Sequence, residues 1–422
     1  MHKELLIKMD HNESAYALLE DSVLVEVQFE RNSCRRLAGN IYKGRVENVL
    51  PGMQAAFINI GLDKNSFLYV DDIPAPDSDL PHNIDSLVKR GQEILVQISK
   101  EPMGSKGARV TAQPSLPGRY LVLMPKQSHL AISRRIEEDA ERGRLRQLLQ
   151  GLLPPGMGAI IRTVAQGVEQ KELAADLHLL LKQWKRILNK AAKTPGPCLI
   201  HRDIDLLQRL IRDTRAGDID RILTDTPETL AKMQEMTEDL APDLKAKLVM
   251  ANTDDLFRHY QIEEQIDKAL RRKIWLKSGG YIIIDQIEAL TVIDVNTGKY
   301  VGSKDLGETM LTTNLEAVGE ISRQLRLRNI GGIIIVDFID MDDPVSRRQL
   351  LSALEEELKK DRTRVTLLGM TQLGLIEMTR KKTGQGLSLA REKECPYCKG
   401  RGRVLSEETM PDNEETVLNN KE

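Results

Sequence analysis

Two stretches, LTVIDVNTG at 290–298 and IIIVDFID at 333–340, decide how this sequence folds around its chemistry. Thr291, Val292, Ile293 and Val295 make a β-branched, largely apolar run suited to a strand inside a sheet. Asp294 and Asn296 close that strand, and Gly298 follows. Downstream, Leu315, Val318, Ile321, Leu325 and Leu327 recur at helical spacing over Thr312–Arg328, and Gly331 and Gly332 stop the helix. A second apolar run, Ile333–Val336, then ends in Asp337. Strand, helix and strand with short connections predict a βαβ unit with parallel strands. Functional groups in such units gather at the carboxyl ends of the strands, where Asp294 and Asp337 both stand. On neighbouring strands about 5 Å apart, two carboxylates repel and want a shared proton or a cation at pH 7. A hard divalent cation such as magnesium meets that need. Asn296 shares the face of Asp294 by the two-residue period, so its amide can donate to a ligand beside the metal. Either aspartate alone reads as a turn or cap residue. The pairing makes metal-assisted hydrolysis a candidate, with the substrate still open.

The chain has 422 residues, room for two to four domains. Its 41% apolar and 29% charged content fits a soluble globular protein. No run of 18 apolar residues predicts a membrane-spanning helix. The N-terminal MHKELLIKMDHNES lacks the apolar core of a signal peptide, so a cytoplasmic address is expected. The net charge of −2 argues against a nucleic-acid binder, but weakly, because phosphate is read by local patches. Cys34 and Cys198 are isolated and read as reduced thiols, whereas Cys395 and Cys398 share a CPYC knuckle.

Residues 1–35 read as strands: ELLIKM, AYALLE and SVLVEVQFE. Residues 36–112 carry short strands (NIYKGRVENVL, QAAFINIG, NSFLYVDDI, EILVQISKE) separated by turn signals, the spacing of a small β-barrel. Residues 113–205 mix the strands YLVLM and AIIRTV with a helical pattern over Lys171–Ala192, broken by Pro195, Gly196 and Pro197. Residues 206–272 read as mainly helical and charged, and 273–391 alternate strand with helix. The end, 405–422, has six acidic residues, one lysine and little apolar content, which predicts a disordered, solvated tail.

Within the barrel segment, Lys43, Arg45 and Lys64 interleave with Phe57, Phe67 and Tyr69, and Arg31, Arg35 and Arg36 precede them. Rings that stack bases and cations that meet phosphates are what single-stranded RNA needs, each stack being worth about 1–3 kcal/mol. The competing reading has Phe57 filling the barrel interior.

Several stretches then carry a resemblance: NIYKGRVENVLPGMQAAFINIG, LVLMP followed by ISRRI, GMGAIIRT, HYQIEEQI, SGGYIIIDQIEALTVIDVNTG, TNLEAVGEISRQLRLRNIGGIIIVDFIDM and CPYCKGRG. In this order, across residues 1–404, the chain resembles the catalytic half of the ribonuclease E/G family of bacterial endoribonucleases. The resemblance implies an α+β multidomain fold. An RNase H-like region (1–35 and 206–272) would be interrupted by an OB-fold RNA-binding barrel (36–112) and a 5′-end sensor (113–205). A DNase I-like α/β catalytic domain (273–391) and a zinc link (392–404) would follow. It also implies that Asp294 and Asp337 are magnesium ligands and that Asn296 lies near the scissile phosphate. Phe57, Phe67 and Lys106 match RNA-gripping positions of the OB-fold. Arg162 and Thr163 match a pocket for a 5′-monophosphate, with Gly118, Val122 and Arg364 as its other walls. A guanidinium and a hydroxyl suit phosphate oxygens, although an arginine such as Arg162 also serves in surface ion pairs.

Structural zinc takes four ligands, and no second CxxC or nearby histidine completes Cys395 and Cys398. Two thiolates per chain suggest a zinc shared across a two-fold axis by a homodimer, and the resemblance implies the same. Family members continue with a small tetramer-building domain and, in long forms, a degradosome scaffold arm. Neither occurs in this sequence, so a dimer without the arm is expected. The expected function is a magnesium-dependent endoribonuclease acting on single-stranded RNA in mRNA decay and rRNA processing. It would leave a 5′-phosphate and a 3′-hydroxyl and be stimulated by a 5′-monophosphate. A non-catalytic RNA-binding factor in ribosome maturation is the alternative.

Overall fold

The structure is a computed structural model that describes residues 2–31, 36–74, 83–102, 106–287, 289–299, 306–384, 386–393, 395–398, 400 and 402–404. The expected acidic tail, with Cys34 and Arg35, lies outside the described residues. The chain divides into two compact units, 1–23 with 28–261, and 24–27 with 262–422.

The first unit opens with β1 (Lys3–Met9), β2 (Glu13–Glu20) and β3 (Val23–Arg31). The barrel strands are β4 (Ile41–Leu50), β5 (Ala55–Asn59), β6 (Ser66–Tyr69), β7 (Glu93–Lys100) and β8 (Arg109–Thr111). Next come β9 (Leu116–Pro117), β10 (Leu121–Met124), β11 (Leu130–Ile132), β12 (Gly158–Ile161) and β13 (Cys198–His201), then β14 (Arg221–Thr224) and β15 (Leu248–Met250). The barrel closes in the order β4-β5-β6-β8-β7 and back to β4, a five-stranded, OB-like ring. Closure leaves no bare strand edge, and alternation sends Ala56, Ile58, Leu68, Val96 and Val110 inward.

A second sheet runs β11-β12-β10-β9. The helix Gln170–Lys193 buries Leu173, Leu177, Leu180, Trp184 and Ile187 in the core shared with it. Its start is a capping box in which Glu169 and Glu172 satisfy each other's backbone N–H groups.

The segment 206–272 departs from the mainly helical expectation. It holds two short strands, β14 and β15, and β14 lies parallel to β1 with Leu5 opposite Ile222. A pairing across more than 200 residues of chain is decided by tertiary burial, and three-residue apolar runs such as LVM carry no period of their own.

The second unit is a mixed sheet, β16 (Lys273–Trp275), β17 (Tyr281–Gln286), β18 (Leu290–Asn296), β19 (Gly332–Asp337), β21 (Ile376–Arg380) and β20 (Val365–Met370) in spatial order. As expected, β18 and β19 are parallel and joined through a helix. That helix, Leu306–Leu327, begins six residues before the apolar period shows. In its first turns the buried positions are polar, Thr309, Thr313 and Asn314, so the apolar period does not show there. Together with the helix Pro344–Lys359 it covers one face of the sheet, over Ile282, Ile284, Ile293, Val295, Ile334 and Val336. The opposite face is open, with Val292 37%, Ile333 50% and Leu368 64% exposed.

Candidate active site and nucleic-acid interface

Asp294 and Asp337 stand in register on the adjacent parallel strands β18 and β19. Because Ile293, Val295 and Val336 point into the core, the alternating Asp294, Asn296 and Asp337 lie on the open face. The Asn296 amide Nδ2 donates to Asp294 Oδ2 at 2.8 Å, which fixes the carboxylate's orientation. Burial and the like charges of Asp294 and Asp340 push the Asp337 carboxyl above the usual carboxylate range. Asp340 follows three residues past the strand end, in a loop, where no two-residue period says which way a side chain faces. The loop carrying it is pinned by Asn314, whose side chain donates to the Ile339 carbonyl at 2.8 Å and accepts from the Ile339 N–H at 3.0 Å.

Like carboxylates held in register suit a hard cation. Among the described residues no group of three or more His, Cys, Asp or Glu side chains is placed to hold a metal by itself. Two carboxylates with an adjacent amide therefore fit an ion that keeps several waters, as magnesium does, rather than one caged by protein.

Phe57 and Phe67 face each other across β5 and β6, their rings edge to face at 6.0 Å. Both are half-buried while Ala56, Ile58 and Leu68 fill the interior, so the barrel presents these rings outward rather than packing them inside. Lys106 is exposed, and Lys64 lies in a bend after β5 instead of on a strand. Arg109 stands opposite Phe67, with its guanidinium 6.0 Å over the Tyr69 ring and bonded to Asp72 at 2.7 Å. Sequence reading passed over Arg109 because the β6–β8 pairing that brings it to the rings is non-local.

In the second sheet, the Arg162 guanidinium donates to the Gly118 carbonyl and to Asp213 Oδ1, each at 2.6 Å. The Thr163 hydroxyl is 2.7 Å from that of Ser133. Gly118 has a steric reason: a Cβ there would meet the Asp176 carboxylate at 2.5 Å. Asp176 in turn accepts the backbone N–H groups of Arg119, Tyr120 and Leu121, and burial pushes its carboxyl up. Val122, half-buried on β10, pairs with Pro117 and Ile160. Arg119, only 6% exposed, bonds the carbonyls of Ile211, Arg212 and Thr214 and grips Asp243, fixing the end of the helix that presents Asp213. So Gly118, Arg162 and Thr163 come together, while Arg364 belongs to the second unit, exposed just before β20.

Cys395 is exposed and Cys398 half-buried. Hydrogen bonds from the backbone N–H of Cys398 and Tyr397 lower the Cys395 thiol, favouring the thiolate that a zinc ion takes.

An OB-like barrel with an aromatic and basic outer face, in one chain with a mixed sheet whose parallel strands end in paired carboxylates, defines a multidomain α+β protein. Residues 115–383 match the model of the Ribonuclease E/G family, and the chain belongs to that family. It is 42% identical to Ribonuclease G of Escherichia coli strain K12 over 97% of this chain and 86% of that protein. It is 43% identical to Ribonuclease G of Haemophilus influenzae over 96% and 85% of the two chains. Ribonuclease E of Synechocystis is 43% identical over 87% of this chain and 55% of its own.

Proposed function

We propose that the protein is a magnesium-dependent endoribonuclease that cuts single-stranded RNA and leaves a 5′-phosphate and a 3′-hydroxyl. The observation that carries this is the in-register pair Asp294–Asp337 on an open sheet face in a member of the Ribonuclease E/G family. Asp294 and Asp337 would hold magnesium, which when bound supplies an activated water and offsets charge on the scissile phosphate. Asn296 orients Asp294, and its second amide N–H would donate to a phosphate oxygen. The outward rings of Phe57 and Phe67, with Lys106, would grip the strand by stacking and charge. The split RNase H-like region, DNase I-like domain and cytoplasmic site of action, in mRNA decay and rRNA processing, belong to the same reading. Among the described residues no helix is long and apolar enough to cross a membrane.

Arg162, Thr163, Gly118, Val122 and Arg364 would recognise a 5′-monophosphate. Gly118 and Asp213 take two of the Arg162 N–H groups, and the others remain for phosphate oxygens. The experiment is cleavage of one short unstructured RNA bearing either a 5′-monophosphate or a 5′-hydroxyl, with magnesium or with EDTA. Cleavage is expected only with magnesium and faster from the monophosphate, and Arg162→Ala should bring the two rates together. Binding without cleavage in magnesium would instead favour a non-catalytic RNA-binding factor, and equal rates from both ends in the parent would remove the sensor.

Cys395 and Cys398 would supply half of a tetrahedral zinc site shared by two chains. One zinc per two chains is expected by metal analysis. Cys395→Ser should give zinc-free protein, mostly monomeric at micromolar concentration, because a closed structural site can contribute about 10–16 kcal/mol. A Cys395→Ser dimer by light scattering, or one zinc per chain in the parent, would end the shared-site proposal.

A further inference from the structure

The chain has two tryptophans, and they are used in opposite ways. Trp184 is 5% exposed, in a core, whereas Trp275 is 57% exposed at the end of β16. Large aromatic surface left in water forgoes the burial that usually places such a side chain inside. The sheet register says where it is left. Trp275 pairs with Tyr281, and Tyr281 pairs with Asn296. Two residues along the strands, Lys273 pairs with Ile283, Ile283 with Asp294, and Asp294 with Asp337. Residues in register share a face, while the alternating Ile274, Ile282 and Val295 are buried on the other side. Trp275, Tyr281 and Lys273 therefore lie on the open face, in the same two rows as Asn296 and the acid pair.

They also form a unit. The Trp275 and Tyr281 rings meet at 5.3 Å with an interplanar angle of 66°. Lys273 Nζ sits 3.5 Å from the Tyr281 ring centre and 4.2 Å from that of Trp275. An exposed indole with an ammonium held against it is the combination that binds an unpaired nucleotide, the ring stacking on the base and the cation meeting its phosphate. Two strand spacings separate Trp275 from Asn296, about 10 Å, within reach of a base neighbouring the scissile phosphate.

We propose that Lys273, Trp275 and Tyr281 form a nucleotide platform on the acid-pair face, on which an unpaired base next to the scissile phosphate stacks against Trp275. This rests on the ribonuclease reading. The platform makes Trp275 a specificity residue: it selects unpaired RNA at the cut, because a base held in a duplex cannot present its face to the indole.

Trp275 is its own reporter, since Trp184 is buried away from solvent. With magnesium omitted, which on the ribonuclease reading prevents cleavage and leaves the proposed zinc in place, a short unstructured RNA should quench the tryptophan emission of the parent protein as it saturates. In Trp275→Phe that RNA-dependent signal should vanish while RNA affinity stays near the parent's. In magnesium, Trp275→Ala should lower kcat/KM about tenfold through KM, and Trp275→Phe should restore most of the loss. An abasic site moved along the RNA should cost the parent about tenfold at one position beside the cut, and cost Trp275→Ala little there. An unquenched parent at saturating RNA, or Trp275→Ala with the parental KM, overturns the platform. So does a change of oligomeric state in Trp275→Ala without quenching in the parent, which would assign this face to a second copy of the chain. A parent that cuts RNA with Trp275 unquenched refutes the platform alone. A parent that cuts no RNA refutes the ribonuclease reading beneath it.

Discussion

Asp337→Asn should cut RNA more slowly than the parent by on the order of 10³-fold or more, with RNA affinity within a few-fold. On the proposed function the carboxylate serves the cation, and affinity would come from the barrel face and from Trp275. Asp294→Asn should behave alike. Single-turnover cleavage in magnesium and equilibrium binding with magnesium omitted read the two quantities separately. Stability should move the opposite way to activity. Burial and the charges of Asp294 and Asp340 raise the Asp337 carboxyl in the folded protein above its unfolded value, near 3.9. The folded state thus holds that proton more tightly than the unfolded chain does. Ionised Asp337 subtracts from stability above the raised value, and the penalty is relieved as pH falls through it. Near pH 7, Asp337→Asn removes the repelling charge and should melt at the same temperature as the parent or higher. A variant that cuts at a near-parental rate would show that the acid pair does not hold the metal. One that is inactive because it unfolds would show that Asp337 is structural.

The second large effect concerns stability. Arg380 and Asp361 are 4% and 3% exposed, and they are bonded through Nε and Oδ2 at 2.7 Å. The same guanidinium donates to Asn329 Oδ1 at 3.0 Å, to the Ile330 carbonyl at 2.9 Å and to the Thr363 hydroxyl at 3.3 Å. It thereby joins the turn before β19 to the segment before β20. Arg380→Ala leaves the Asp361 carboxylate buried without its cation, a change that costs about 3–5 kcal/mol. Melting should fall by on the order of 10 °C. Replacing both partners, Arg380→Met with Asp361→Leu, should recover much of the loss, because an apolar pair carries no desolvation penalty. Arg380 also stands opposite Gly332 at the start of β19, the strand that ends in Asp337, so Arg380→Ala should lose cleavage along with stability. A loss of less than about 1 kcal/mol in denaturant titration would mean that Asp361 is solvated or protonated in the folded protein.

What the sequence by itself determined lies within single elements. The β-branched runs at 290–296 and 333–337 formed the strands they imply, with Asp294 and Asp337 at the ends. The apolar period at 171–192 formed a helix within one residue at either end. The short strands of 41–111 closed a barrel. In each case the signal is local, a period of two or 3.6 residues that must match the face to be buried. What only the tertiary structure decided is which faces remain open and which distant residues meet on them. Periodicity could not say that helices cover one side of the second sheet, leaving Asp294, Asn296 and Asp337 on the other. Nor could it say that Phe57 points out of the barrel, that β14 lies beside β1, or that Arg109 stands across from Phe67. Asn314, buried on a helix, bonds the backbone of Ile339 beside Asp340, a contact between residues 25 apart in the chain. Trp275 reaches the row of Asn296 only through two strand registers. Register and burial are non-local: they are set by which surfaces the whole chain removes from water, and no window of sequence contains both partners.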